Sequence, residues 1–152
     1  MAESSKQYCT FFVDEILFGV EVLNVQEVLR YQEFTEVPLA PSEVQGLINL
    51  RGQIVTAIDL RNRMNLPSRS DGQLPMNVVI RSNGEVISFL VDSIGDVLDV
   101  EEDSFEPPPR TVDDATRELV SGVYKLADKK LMMVLDSHKA AHLSGQDGPA
   151  NI

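Results

Sequence analysis

The chain of 152 residues carries 24 acidic against 13 basic side chains, a formal charge of −11, with 43% hydrophobic residues and one cysteine. Such a composition excludes wholesale disorder and an internal disulfide, and it argues against a nucleic-acid partner, because neutralising phosphates takes a basic face. The polar start, Met1 to Lys6, offers no apolar run for a signal peptide or membrane span, so the expectation is a soluble cytoplasmic protein of one ordinary domain.

Tyr8–Val13 and Leu17–Val22, rich in aromatic and β-branched residues, predict a hairpin around Asp14-Glu15. Over Leu23–Leu29 the apolar residues Val22, Val25, Val28 and Leu29 recur at three- and four-residue steps, which predicts one or two helical turns. Pro38 and Pro41 then interrupt regular structure. A second hairpin, Val44–Leu50 and Ile54–Ile58, turns at Arg51-Gly52-Gln53, with Gly52 supplying the left-handed backbone of a tight turn. Asp59 is placed to cap a short helix, Leu60–Met64, and Pro67–Pro75 reads as a connector.

The pattern then restarts. Asn77–Arg81 and Glu85–Val91 flank Asn83-Gly84, the strongest hairpin signal in the chain. The acidic run Asp96–Glu106 and Pro107-Pro108-Pro109 predict an extended break. Leu119–Leu126 and Leu131–Leu135 form a last hairpin, and Asp136 leads into a short helix, Ser137–His142.

A weak internal repeat underlies this recurrence. Val22, Val25, Val28 and Leu29 align with Val91, Ile94, Val97 and Leu98, and Glu27 with Asp96. Gly46–Leu50 aligns with Gly122–Leu126, and after one extra turn residue Ile54–Asp59 aligns with Leu131–Asp136. Each half reads hairpin, link, hairpin, aspartate, short helix. Closing five short strands into a small barrel removes their exposed edges, so the predicted fold is all-β with a few short helices, two small five-stranded β-barrels packed together. One domain over 7–143 is expected, with the link between its halves near 66–76 and flexible tails at 1–6 and 144–152.

Enzyme signatures are missing: no phosphate loop, nucleophile elbow or Cys-x-x-Cys is present. Cys9 sits in an alternating strand far from both histidines and reads as a structural thiol. His138 and His142 have metal-ligand spacing but no third ligand, and the acids of Asp96–Glu106 lack the alternation of a calcium loop, so neither metal nor cofactor is expected. Asp59 and Asp136 hold equivalent places, which favours helix caps over an acid–base pair. The triple proline reads as a stiff spacer.

Two features point outward. Arg51 tips a hairpin whose counterpart in the other half carries Ala127, so the scaffold does not itself require an arginine there. Val22, Val25 and Val28, with their counterpart Ile94, form either core or a groove that accepts a partner helix, with Glu27 on its rim.

At these residues the sequence resembles the CheW family of bacterial chemotaxis. The likeness runs through Phe18–Val22 and Val25–Val28, then Gly46-Leu47-Ile48-Asn49-Leu50-Arg51-Gly52 with its apolar strand, Ile58–Arg61, and Phe89–Asp92 with Val97-Leu98. It spans about Gln7 to Leu143, and Thr56 departs from it where the family often has proline. The resemblance implies barrels of SH3-like type and a non-enzymatic adaptor coupling chemoreceptors (methyl-accepting chemotaxis proteins) to the histidine kinase CheA, in receptor arrays near the membrane but without insertion into it. It carries receptor contacts onto Val22, Val25, Val28 and Ile94, with Glu27 and Arg51 nearby, and gives Gly46 and Gly52 a backbone-permissive role. A related surface-sensing or twitching pathway, and a small-molecule site between the barrels, are the alternatives.

Overall fold

Asn83 and Gly84 take left-handed backbone angles (φ 52° and 81°) and join two antiparallel strands, as the Asn-Gly pair predicts. The computed structural model describes residues 5–142. In chain order these form β1 (Ser5–Val13), β2 (Ile16–Glu21), β3 (Val25–Leu29), β4 (Val44–Leu50), β5 (Gln53–Asp59), α1 (Leu60–Arg63), β6 (Met76–Ser82), β7 (Glu85–Val91), β8 (Ser93–Glu101), β9 (Phe105–Glu106), α2 (Asp114–Arg117), β10 (Val120–Lys125), β11 (Leu131–Leu135) and α3 (Ser137–Ala141). The four expected hairpins are present, and Asp59 and Asp136 cap α1 and α3 by accepting from the backbone N–H of Arg61 (3.0 Å) and Lys139 (3.1 Å). Of the expected tails, residues 1–4 and 144–152 lie outside the described residues, while Ser5 and Lys6 open β1.

The strands make two mixed sheets of SH3-like type, ordered β8-β1-β2-β11-β10-β9 and β3-β6-β7-β5-β4. The two orders are the same once the halves of the repeat are exchanged. The antiparallel pair β1–β8 corresponds to β6–β3, and the parallel pair β2–β11 to β7–β5. Each sheet therefore takes one hairpin from the opposite half of the chain. Sequence halves and sheets do not coincide, because the repeat records strand order along the chain and not partner choice. The first sheet also gains a sixth strand, the two-residue β9. Neither sheet is a fully hydrogen-bonded barrel. The second is drawn round on itself by the bridge Thr35↔Leu47 and by an ion pair between β3 and the β4–β5 turn.

Two predicted segments differ in kind. Val25–Leu29 is a strand on β6, preceded by a single 3-10 turn over Val22–Asn24. A bulge between Val25 and Glu27 inserts one residue, which breaks the two-residue alternation and mimics a helical period. Asp96–Glu101 is likewise no loop: it completes β8 along β1, with its own irregularity at the equivalent place. Its carboxylates remain in water because β8 is an edge strand.

Burial explains why both faces of so many strands are apolar. Phe11, Val13, Phe18 and Val20 of one sheet pack with Ile58, Ile80, Phe89 and Val91 of the other in one central core. Alternate residues turn inward to a private core for each sheet: Ile48, Leu50, Val55 and Ala57 in the second, Tyr8, Tyr124, Met132 and Val134 in the first. Arg63 of α1 donates to the carbonyls of Lys139 (2.9 Å) and His142 (2.8 Å), closing the C-terminal end of α3 and tying the two short helices together.

Candidate functional site

The β4–β5 turn has two residues, Arg51 and Gly52, between the paired Leu50 and Gln53. Both are left-handed (φ 51° and 90°), the geometry that matches the twist of a hairpin. For Gly52 this conformation is free; for Arg51 it costs about 1–2 kcal/mol. Asn49 offsets part of that by accepting the Gly52 N–H on its side-chain oxygen at 2.8 Å. The turn aims the Arg51 guanidinium at β3, where it pairs with the Glu27 carboxylate. Beside it the Arg81 guanidinium donates to Gln26 at 3.0 Å. The Arg51 side chain is 72% exposed, so the pair contributes at most about 1 kcal/mol to stability. A left-handed arginine therefore returns little to the fold for the strain its backbone carries.

The structure thus joins Glu27 and Arg51 directly. Val25 and Ile94, equivalent by repeat, both lie half-buried against the central core. Val22 is half-buried in the 3-10 turn, and Val28 is 38% exposed. Sequence reasoning overlooked Leu23, Ile54 and Val97, apolar side chains more exposed than Val28. Val97 was legible in principle, since it is the repeat partner of Val28.

Gly52 has open space around the position of a Cβ, whereas Gly46 is buried and a Cβ there would lie 2.6 Å from the Thr35 carbonyl oxygen and 2.7 Å from the Phe34 ring. Gly46→Ala is therefore expected to destabilise the protein by about 1–3 kcal/mol through overpacking against backbone, read in urea melts, with Gly52→Ala costing less. A Gly46→Ala protein as stable as the native one would contradict this packing.

Cys9 is half-buried and burial pushes its thiol pKa up, away from nucleophilic thiolate. His138 Nδ1 contacts the Asn83 side-chain amide at 2.8 Å, so it is engaged with the β6–β7 turn and not merely solvated. Among the described residues no group of three or more His, Cys, Asp or Glu could hold a metal ion, and no helix is long and apolar enough to cross a membrane.

One cluster escaped the sequence altogether. Asp92, between β7 and β8, receives the Arg61 guanidinium side-on (2.9 and 2.8 Å), Arg69 at 3.0 Å and the Asp14 backbone N–H at 2.6 Å. Arg69 also grips Asp59 at 3.1 Å, and Arg61 reaches the Pro67 carbonyl at 2.8 Å. Burial alone would raise the Asp92 pKa, but the hydrogen bonds of Arg61 and Asp14 and the two positive charges outweigh it and hold the carboxyl below its usual value. The same partnership raises Arg61. The cluster locks the β1–β2 turn, α1 and the connector to the corner where β7 becomes β8.

The model of the CheW-like domain matches residues 7–144. A chemotaxis protein CheW from Treponema pallidum is 29% identical over 91% of this chain and 85% of its own length. Another from Thermotoga maritima is 28% identical over 91% of each. The crystal structure of scaffolding protein TtCheW from Thermoanaerobacter tengcongensis superposes with a TM-score of 0.82 at 29% identity, covering 94% of this chain and 97% of that one.

Proposed function

The chain belongs to the CheW-like domain family, the family of the chemotaxis scaffold CheW, and from that premise we propose that it is a non-catalytic cytoplasmic adaptor coupling the tip of a chemoreceptor to the histidine kinase CheA. The observation that carries this reading is the Arg51–Glu27 pair. The fold does not need it, since the equivalent tip carries Ala127, yet the chain accepts a left-handed arginine to present it. Exposed Val28 and half-buried Val22 and Val25 lie along the same stretch of chain as Glu27 and give the pair apolar company, with half-buried Ile94 as their counterpart in the other half. An amphipathic receptor helix buries its apolar stripe on such a surface and takes its register from the charges. Kinase contact falls to the exposed hairpin regions, in modest interfaces that gain strength by repetition beneath the membrane. Residues 7–143 act as one domain, because the central core draws on both sheets.

Arg51→Glu sets two carboxylates against each other at that rim without disturbing Gly52. Capture of a chemoreceptor fragment in co-sedimentation with the kinase is expected to fall at least about tenfold, while the thermal melt stays close to that of the native protein. A folded Arg51→Glu protein that binds both partners as well as the native one would remove Arg51 from the site.

A further inference from the structure

The pseudo-two-fold repeat places a groove where the Arg51–Glu27 contact has its counterpart. Glu27 maps onto Asp96 and Arg51 onto Ala127; Glu27 closes the irregularity of β3 and Asp96 lies within that of β8. In the β3-β6-β7-β5-β4 sheet the guanidinium spans from the hairpin tip to the edge strand. In the other sheet Ala127 has no side chain to make that span, and a cavity of about 500 Å³ opens between β8 and the β10–β11 turn. Phe12, Leu17, Leu98 and Leu126 give it an apolar floor, and Asp96, Asp99 and Asp128 stand on its rim against the single cation Lys130. The Asp96 carboxylate makes no ion pair among the described residues, whereas its counterpart Glu27 does.

We infer that this groove is a docking site for an arginine-bearing turn of a partner polypeptide, its guanidinium taking the place on Asp96 that Arg51 takes on Glu27, and an adjacent aliphatic side chain resting on the apolar floor. Two observations select this occupant. The rim carries three carboxylates to one ammonium, which attracts a cation and repels acidic segments. The same scaffold, in its other half, crosses the equivalent gap with the Arg51 side chain, so the gap accepts a guanidinium. The inference does not rest on the receptor reading, whose Arg51–Glu27 pair lies on the other sheet and of whose residues only Ile94 belongs to β8.

The probe is a fluorescent, disulfide-closed peptide carrying Asn-Leu-Arg-Gly-Gln-Ile, the sequence of residues 49–54, titrated against the full chain by anisotropy. Saturable, salt-weakened binding is expected, at least about tenfold weaker when the arginine is replaced by the uncharged isostere citrulline. Ala127→Arg supplies the missing guanidinium from within and is expected to weaken the probe by a similar factor with the circular dichroism spectrum unchanged. Asp96→Lys, on the exposed edge strand, serves if Ala127→Arg does not fold. Arg51→Glu is expected to bind the probe like the native protein, which separates this groove from the Glu27 surface. No saturation below about 1 mM, equal binding of the citrulline probe, unchanged binding by both groove variants, or loss in Arg51→Glu would each overturn the inference.

Discussion

Asp92→Ala is expected to lower the stability of the protein by about 3–5 kcal/mol, because it leaves the Arg61 and Arg69 guanidiniums facing each other in a largely buried corner with one anchor gone. For a chain of this size that corresponds to a melting temperature lower by about 10 °C. The side chains of Asp92, Arg61 and Arg69 are 9%, 12% and 8% exposed, so water replaces little of what is lost. The pH dependence has a defined sign. The folded carboxyl lies below its unfolded value of about 4. Its contribution is therefore complete above that value and disappears as pH falls through the lowered folded one. The native and variant unfolding curves should converge in acid. A gap between them that stays constant down to the acid transition of the native protein would show that Asp92 is not the ionised centre of the cluster.

Phe89→Ala is the second large effect. Phe89 is fully buried in the central core, on β7, and packs in the cluster that contains Phe11, Phe18 and Val20 of the opposite sheet. Removing the ring costs about 3–5 kcal/mol. The more telling outcome is where the damage spreads. Because the core is common property, hydrogen exchange should accelerate together at Val20 in one sheet and Ile58 in the other, with a single unfolding transition by every probe. Faster exchange confined to the sheet that holds β7 would mean that the sheets unfold as separate units.

Local signals were enough for much of this fold. Asn83-Gly84 and Gly52 announce their turns through residues that tolerate left-handed backbone, and Asp59 and Asp136 announce helices through their side-chain oxygens. What failed to show was anything set by partners distant in sequence. A one-residue bulge disguised β3 as helix. Acidic composition disguised β8 as a loop, since at an edge strand only one side needs to be apolar. The exchange of hairpins between sheets leaves no trace in periodicity. The site was split in the same way. Arg51 and Glu27 were both singled out, one from broken repeat symmetry and one as a rim charge, and their contact joins residues 24 apart. Arg61 and Asp92 stood only as the ends of segments that carry the family resemblance, and Arg69 was not singled out, because each is unremarkable alone. Their meaning comes from a meeting that spans 31 positions between Arg61 and Asp92.

The strand exchange also sets the order in which this protein acquires shape during synthesis. β1 and β2 leave the ribosome before the strands that flank them, β8 on one side and β11 on the other, have been made. Until then the nascent hairpin carries two unsatisfied borders, the condition that invites pairing with neighbouring chains. The excess of acidic over basic residues in the chain works against such pairing between its copies.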